Sequence, residues 1–424
     1  MNAKFFPVFF LLVISFNVFS QEKSEGEEGL PAGREEALNV YLDCEYCDKA
    51  YFRENFTLIN YVRDRKVSDV HVIVSRMRNG GGGREYTFQF LGQGRFQHLK
   101  DTLIFNTKAD DTKDEIREKQ LETLKKGLVP FMLKTPFAGK VKVEYIEENK
   151  HAAEKDPWHN WVFNMKGNAW ASGEKSYDML NMYFRVSANR ITEAIKHQTF
   201  FYYNYSENHY RQYDSNDILI YTADVFNKGF YGGHSTVWSL GEHWGAGIDL
   251  HISQSTFSNV NFGVNLSPAI EYNVYKYSEA SRKQLRFGYQ VSAGYRDYYD
   301  TTIYNKTNDY LVSQNVDVNF KYITNWGSIR TGIYWQNYLH DFSLYRISSD
   351  VSMNIRIFKG LSFNIFGSLS MPRNQIGLVK AASTQEDVLL RQRELATKYS
   401  YYTSVGLSYT FGSIYNNVVN PRLD

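Results

Sequence analysis

The chain has 424 residues, with 48 Lys and Arg against 46 Asp and Glu, and aromatic residues make up 16% of it. The formal net charge of +2 and the lack of a basic run exclude nucleic acid as a predicted partner. The length is sufficient for two or three domains. A negative mean hydropathy combined with 33 Tyr is typical of a barrel whose strands alternate between polar and apolar residues.

Residues 1–20 have the pattern of a secretory signal peptide. Lys4 precedes an apolar run that ends at Phe19, and the small Ser20 supplies a cleavage site before Gln21. We therefore expect an exported protein. Residues 21–36 are acidic, contain glycine and lack apolar periodicity, which predicts a flexible linker.

Residues 37–150 have the pattern of a small α/β domain. Apolar periodicity predicts a partly helical segment at 48–61 and strands at 38–42, 69–76, 84–91, 102–106 and 140–147. The sequence NGGGG at 79–83 predicts a hairpin turn, because glycine adopts positive φ without steric cost. Thr112 and Glu115 have the spacing of a capping box, which predicts a long helix that ends before Pro136.

The order of these elements and residues 61–74 (YVRDRKVSDVHVIV) resemble the amino-terminal domain of the TolB family. The resemblance implies a periplasmic domain that contacts other envelope proteins. The glycines at 80–83 have a second interpretation, as a phosphate cradle. We favour the turn, because these glycines lie in a hairpin rather than between a strand and a helix with a following Lys and Ser or Thr.

Cys44 and Cys47 are the only cysteines, in the segment DCEYCD. In an oxidising exported compartment, a local disulfide is the favoured interpretation. The alternatives are a redox-active pair and a metal site. Flanking acids raise the thiol pKa that redox chemistry needs to be low, and two thiolates without a nearby His are too few ligands for a metal. No cofactor and no metal are predicted.

Residues 158–411 alternate between apolar and polar residues in a long series of segments. In the last segment Tyr401, Val405 and Leu407 alternate with Ser404 and Ser408, which gives a strand one apolar and one wet face. The segments are longer than soluble-barrel strands and carry aromatic residues near their ends. Twelve strands are predicted, at 160–171, 178–191, 196–209, 217–240, 244–255, 259–275, 283–299, 312–323, 327–338, 342–357, 361–374 and 396–411.

The predicted fold class is therefore an α+β periplasmic domain followed by an all-β transmembrane antiparallel barrel of about twelve strands. Charges on the polar faces indicate a wet lumen, because a packed core excludes them. The predicted lumen-facing residues are Lys166, Arg185, Asp249, Glu271, Arg286, Arg296, Asp317, Lys321, Arg330, Arg346, Asp350 and Arg356. Their basic excess has two interpretations: the lumen favours anions, or the barrel is closed and the groups pair across strands.

Connection lengths predict the orientation of the strands. Residues 241–243, 324–327 and 359–360 are predicted as short periplasmic turns, and residues 210–216, 300–310 and 375–395 as longer outer loops. Residues 384–395 are compatible with a helix, and we expect them to fold over the outer mouth. Gly229, Gly232 and Gly233 predict a bulge or sharp bend in the fourth strand.

The last strand ends in GLSYTF at 406–411, which looks like the signal that the barrel-assembly machinery reads. Residues 412–424 follow it as a predicted periplasmic tail, unlike barrels that stop at the Phe. Gln21 after the signal peptide, a Tyr- and Asn-rich barrel and this tail resemble outer-membrane proteins of Bacteroidota. The barrel is also distantly similar to the salt-induced outer-membrane family. These resemblances imply a location in the cell outer membrane.

The sequence favours a non-enzymatic outer-membrane protein, either a narrow porin-like channel or a structural or assembly component of the envelope. Its predicted partners are outer-membrane lipid, the barrel-assembly machinery during insertion and a periplasmic protein. The alternative is a barrel hydrolase of lipid or peptide. His234 and Ser235 are adjacent, as are His340 and Asp341, so each pair points to opposite faces and no catalytic residue is predicted.

Overall fold

The structure is a computed structural model that describes residues 36–142, 144, 156–358, 360–384, 387, 390 and 392–411. The predicted signal peptide, all but residue 36 of the linker and the tail at 412–424 lie outside the described residues. So do four of the eight residues of the predicted strand at 140–147. Its first residue, Lys140, instead ends a 3₁₀ helix, Pro136–Lys140, that begins with a proline.

The N-terminal domain contains a five-stranded sheet in the order β2-β1-β3-β4-β5. β1 pairs in parallel with β2 and β3, whereas β3, β4 and β5 pair antiparallel. The strands are β1 Asn39–Asp43, β2 Asn60–Tyr61, β3 Val70–Arg78, β4 Arg84–Gly92 and β5 Lys100–Asn106. The hairpin turn predicted at 79–83 joins β3 to β4. The short parallel strand β2 was not predicted, since two residues carry no periodicity.

Two helices accompany this sheet. α1, Lys49–Asn55, begins at Asp48, whose side chain accepts from the Tyr51 amide. α2, Lys113–Met132, begins with the predicted capping box of Thr112 and Glu115. Its buried Leu124 and Leu128 pack into the domain core. No helix in the described part of the chain is long and apolar enough to cross a membrane.

The remaining described residues form one large antiparallel sheet, in which twelve strands follow chain order from β6 to β17. The predicted number of strands and their antiparallel pairing are confirmed. The strands are β6 Trp161–Glu174, β7 Tyr177–Ile191, β8 Ile195–Tyr213, β9 Leu219–Ser239, β10 Trp244–Ser255, β11 Val260–Asn273, β12 Lys283–Tyr298, β13 Asn308–Thr324, β14 Gly327–Tyr338, β15 Asp341–Phe358, β16 Leu361–Pro372 and β17 Ser400–Tyr409.

The two faces of the large sheet differ in chemistry. On β17, Val405 and Leu407 lie on a face that we call the apolar face, and they are 64% and 67% exposed. Ser404 and Ser408 lie on the opposite face, the polar face, because successive side chains alternate. The pairing register carries this division from strand to strand, so that Ile333 of β14 is also exposed on the apolar face.

The bulge predicted from the glycines of β9 is wrong. β9 pairs without a register shift across Gly229, Gly232 and Gly233, both with β8 and with β10. Gly233 makes room for aromatic rings instead, since a Cβ there would lie 2.5 Å from Nδ1 of His251 and 2.8 Å from Cζ of Phe200. At Gly229 a Cβ would lie 2.7 Å from the carbonyl oxygen of Gln254. Glycine in this strand thus marks a close approach rather than a bulge.

Candidate functional site: the polar face of the large sheet and its two ends

The pairing register places all twelve charged residues that the sequence singled out on the polar face. Lys166 lies opposite Arg185, for example, and Lys321 lies opposite Arg330. Residues paired in this way share a face, because directly opposed side chains point the same way. The same pairing between neighbouring strands places the other charged residues of the set on this face. The polar face therefore carries eight basic and four acidic residues from this set.

An ion-pair network lies on the polar face, towards the turn that joins β11 to β12. The guanidinium of Arg286 donates to Glu271 over 3.1 Å and to Asp317 over 2.7 Å, which joins strands β11, β12 and β13. The hydroxyl of Tyr277 also donates to Glu271, over 2.7 Å. Pairing across strands thus accounts for Arg286 and two of the four acids.

The other acids and most of the bases are not paired in this way. Asp249 accepts from the amide of Gln290 over 3.0 Å. Arg185 lies over the ring of Tyr202, 4.9 Å from its centroid. Within the described residues, no carboxylate lies within ion-pairing distance of Lys166, Arg185, Arg296, Lys321, Arg330 or Arg346. The polar face is therefore net basic after pairing.

A cavity of about 670 Å³ lies along the polar face from β12 to β17. Arg286, Asp317 and Asp350 line it together with small Ser side chains and the rings of Tyr334 and Tyr402. A polar cavity of this size holds water rather than remaining empty. The charged side chains on this face are thus solvated within the molecule.

The N-terminal domain lies against one end of the large sheet. Arg356, near the end of β15, donates through Nη1 to Asp43 Oδ2 over 2.6 Å and through Nη2 to Oδ1. The guanidinium also lies 5.4 Å from the ring centroid of Tyr41. At the turn before β12, Arg282 donates to the Gln89 side chain over 2.8 Å. Ion pairs and hydrogen bonds thus join the domain to two separate turns of the sheet.

The acid in this contact is held ionised by its neighbours. Burial opposes the charge on Asp43. Two neighbours stabilise the charge more strongly than burial opposes it: the His71 ring, whose Nε2 lies 3.5 Å from Oδ2 of Asp43, and the guanidinium of Arg356. Together they lower the pKa of Asp43 to about 2. Burial lowers the pKa of His71, so the ring is neutral at pH 7. The contact is therefore one carboxylate against one guanidinium, with a neutral imidazole beneath it.

A disulfide joins Cys44 to Cys47, with Cα atoms 5.5 Å apart. Cys44 directly follows Asp43, so the cross-link fixes the turn that leaves β1 beside the contact with Arg356. The ring of Tyr46, inside the disulfide loop, stacks under Arg76, whose guanidinium carbon is 3.3 Å from the ring centroid. The disulfide thus shapes the domain surface that faces the sheet.

The described parts of the loop at 373–399, between β16 and β17, cross the other end of the sheet; residues 385–386, 388–389 and 391 of the segment predicted to fold over the mouth lie outside the described residues. Asn259, in the turn between β10 and β11, donates to the carbonyl of Gly377 over 3.0 Å. The loop also carries Ile376, which is buried against Leu311 and Tyr338 on the polar face. The amide of Glu394 donates to the Phe257 carbonyl over 2.9 Å. A loop that begins at the end of β16 therefore reaches the turn before β11, five strands away in the sheet.

Asn259 and Ile376 were not found from the sequence as contact residues. Both are single residues in connections, and nothing in the local pattern of Ile376 distinguishes it. Arg356 was predicted on the polar face, but its partner Asp43 lies 313 positions away in the other domain. Asn259 alone carried a signal, since it has φ of 59° at a tight turn, where Asn is favoured.

The residues considered for hydrolysis are separated. His234 contacts the hydroxyls of Thr199 and Thr236 at 2.8 and 3.0 Å on the apolar face, whereas Ser235 lies opposite Asp249 on the polar face. Asp341 accepts from Ser343, two residues on. Within the described residues, no group of three His, Cys, Asp or Glu side chains is arranged to hold a metal ion.

No protein-family model matches the chain, and no curated protein sequence matches it. The resemblances drawn from sequence to the TolB amino-terminal domain, the salt-induced outer-membrane family and Bacteroidota proteins therefore stay predictions.

Proposed function

We propose that this chain is an outer-membrane β-barrel protein whose polar face lines a narrow, anion-preferring lumen and whose N-terminal domain covers the periplasmic mouth. The observation that carries the proposal is the separation of faces along twelve strands. Every charged residue of the predicted lumen set lies on one face, and the other face exposes large apolar side chains. Lipid outside and water inside satisfy both faces.

The position of the N-terminal domain supports a curved, closed sheet. Twelve strands laid flat span about 53 Å at about 4.8 Å per spacing. A domain of this length has a radius of gyration of about 13 Å and is roughly 35 Å across. A Cβ at Gly82 in the β3–β4 turn would lie 3.4 Å from Val162 of β6, while Thr410, after β17, shares a cavity with Tyr41. One small domain thus meets both ends of the strand order.

The edge strands give a second reason for closure. β6 and β17 each expose apolar side chains on the apolar face, such as Met165 and Leu407. Long apolar edge strands with unpaired backbone groups pair with other chains and aggregate, and closure of a barrel removes both edges. In lipid, closure is required, because each unpaired backbone group there costs several kcal/mol.

The basic excess supports a preference for anions. Lys166, Arg185 and Arg330 lie on the polar face without an ion-pair partner among the described residues. Rings of charge set the selectivity of water-filled pores. The contacts at both ends, through Arg356 and through Ile376, favour a pathway that is narrow and gated rather than open.

The test is single-channel recording of the purified full-length protein in planar bilayers, with the anion-to-cation permeability ratio measured in a salt gradient. We expect small conductance steps with anion preference, and a lower ratio for Arg330→Gln. Cation preference would contradict the basic lumen. If protein shown to be inserted gives no conductance, the function that remains is a structural or assembly component of the envelope. Hydrolysis of lipid or peptide by the same sample would favour the enzyme alternative.

A further inference from the structure

A second cavity, of about 400 Å³, lies between the N-terminal domain and the end of strands β15 to β17. We call it the junction cavity. Six basic residues line it against a single acid, Asp64. The six are Lys49, Arg53, Arg63, Arg65, Lys66 and Arg356. The lining of the cavity is therefore strongly positive, and such a charge attracts anions.

Some of these basic side chains already have partners in the protein. Arg356 binds Asp43, and Arg65 donates to the carbonyl of Asn325. The side chain of Asp64 accepts a hydrogen bond from the Lys66 amide over 3.0 Å and so caps the short helical turn that follows it. Within the described part of the chain, no carboxylate lies within ion-pairing distance of Lys49, Arg53 or Lys66. Three cations thus face the cavity without a counter-ion among the residues that the structure describes.

Arg53 carries the clearest sign of a missing partner. Its Nε is shielded from solvent and has no acceptor among the described residues. Burial lowers the pKa of Arg53, which means that its surroundings penalise the charged form. A buried donor without an acceptor is destabilising, and an oxyanion in the cavity relieves the penalty.

The apolar wall of the junction cavity is contributed by the large sheet. It is formed by Ile357, Phe358 and Leu361, at the turn between β15 and β16, beside the polar Ser362 and Thr410. Phe358 packs beside Tyr409, with ring centroids 6.3 Å apart, and Tyr409 packs beside Phe411 at 5.4 Å. These three rings are each more than half exposed on the outside of the sheet. Aromatic rings in such a row mark the level of the lipid headgroups in a membrane barrel.

From this geometry we infer that the junction cavity binds the phosphate headgroup of an anionic lipid, with Lys49 and Arg53 on the phosphate and the acyl chains along Phe358 and Leu361. The inference rests on the proposed function, because it needs the apolar face to lie in a membrane. A basic wall facing an apolar wall fits an anionic amphiphile better than a soluble anion, which would leave the apolar wall uncovered. Bound lipid would then join the domain to the barrel.

The test is native mass spectrometry of the full-length protein in detergent, titrated with phosphatidylglycerol or phosphatidylcholine. We expect wild type to retain phosphatidylglycerol in preference. Lys49→Gln with Arg53→Gln should weaken retention about tenfold or more, since each basic residue near an anionic surface contributes about 1 kcal/mol. The charge-preserving pair Lys49→Arg with Arg53→Lys should restore it.

The matched control is Lys100→Gln with Lys113→Gln, which removes two exposed charges of the same domain outside the cavity. It should retain lipid as wild type does. The inference is overturned if the Lys49→Gln, Arg53→Gln variant retains phosphatidylglycerol as well as wild type does. It is also overturned if wild type retains phosphatidylcholine as well as phosphatidylglycerol. Inorganic phosphate that binds as tightly as phosphatidylglycerol would make the ligand a soluble phosphate and overturn the lipid assignment.

The same preparations separate this inference from the proposed function. Insertion into planar bilayers tests the membrane barrel and does not depend on Lys49 or Arg53. Insertion without lipid preference overturns the lipid site alone. Failure of wild type to insert overturns the barrel and the lipid site together.

Discussion

At the scale of single residues, the contact between Asp43 and Arg356 decides how the two parts of the chain are joined. The pKa of Asp43 is about 2 in the folded protein, below its ordinary value of 3.8. Because the folded pKa is depressed, the contact contributes stability that is complete above pH of about 4 and is lost as the pH falls towards 2. The low pKa of buried His71 adds to this loss below pH of about 6.5, since protonation opposes its burial.

We therefore expect the domain to separate from the sheet in acid. Amide hydrogen exchange of β1, corrected for intrinsic rates, should show protection falling between pH of about 4 and 2. Arg356→Gln should lose protection already at pH 7, because a charged hydrogen bond of this kind contributes about 1.5–3 kcal/mol. Arg346→Gln, on the same face and strand, is the control and should keep protection at β1. Unchanged protection in Arg356→Gln would show that other contacts hold the domain.

The position of Gly127 in α2 is also a single-residue determinant. A Cβ there would lie 2.0 Å from Cζ of Phe90, a buried ring of β4. Gly127→Ala should lower the stability of the domain core by up to about 2 kcal/mol, because an overpacking penalty of about 1–3 kcal/mol equals or exceeds the gain in helix propensity of about 1 kcal/mol. The measurement is the exchange protection of α2 amides. Gly139→Ala, which meets open space, should be neutral, and equal effects of the two would refute the close approach.

At the scale of elements, each strand of the large sheet is defined by which face its side chains occupy. Neighbouring residues in the middle of β17 make the comparison direct, since Val405 and Ser404 point to opposite faces and share the same depth. Substitutions at these two positions therefore compare the environments of the two faces, because the strand and the depth are the same for both.

Val405→Arg should lower the free energy of unfolding in lipid vesicles by about 2–4 kcal/mol, whereas Ser404→Arg should change it little, because arginine on a lipid face is penalised most at the midplane. The measurement is urea unfolding of the vesicle-inserted protein, followed by Trp fluorescence. A larger loss from Ser404→Arg would invert the assignment of the faces. Equal losses would indicate that neither face meets lipid.

The loop at 373–399 is the second element with a testable structural part. Ile376→Ala removes the side chain buried against Leu311 and Tyr338 and should weaken closure of the loop by about 2 kcal/mol. Residues 373–384 should then exchange roughly 30-fold faster. Single-channel conductance should increase if the loop narrows the outer mouth. Arg373→Gln, exposed in the same loop, serves as the control, and no change in exchange for Ile376→Ala would exclude the loop as a closure.

At the scale of the whole molecule, the large sheet is covered at both ends, by the N-terminal domain and by the loop at 373–399. The domain end also includes Gly80, where a Cβ would lie 2.7 Å from Cβ of Ile191 in the last position of β7. This separation is about 1 Å shorter than in a disulfide, so a small shift allows a cross-link.

Gly80→Cys with Ile191→Cys should therefore form a disulfide that holds the domain on the mouth. We expect lower conductance in the oxidised variant than in wild type, and a return to the wild-type value on reduction. Gly80→Cys alone is the control for the substitution and should not respond to reductant. Full conductance in the cross-linked protein would mean that the domain does not obstruct the lumen.

Much of this molecule was determined by local sequence pattern. The alternation of side chains predicted twelve strands, most of them within a few residues of their observed ends. It also placed the twelve predicted lumen charges on a common face. Both predictions succeed because the strand period depends only on neighbours in the chain. The capping box of α2 and the turn at 79–83 are equally local. Strand ends were less well predicted, as at β17, where pairing with β16 stops at Ser400.

Tertiary structure decided the rest. Asp43 meets Arg356, Asn259 meets the carbonyl of Gly377, and the junction cavity forms between β1, α1 and the end of β15. Each contact joins residues far apart in sequence, and its existence depends on how the sheet curves and where the domain lies. Gly233 of β9 makes the same point, since its role depends on the rings of Phe200 and His251 in the neighbouring strands. The sequence by itself determined the strands and their faces; only the folded chain brought the faces, the domain and the loop together.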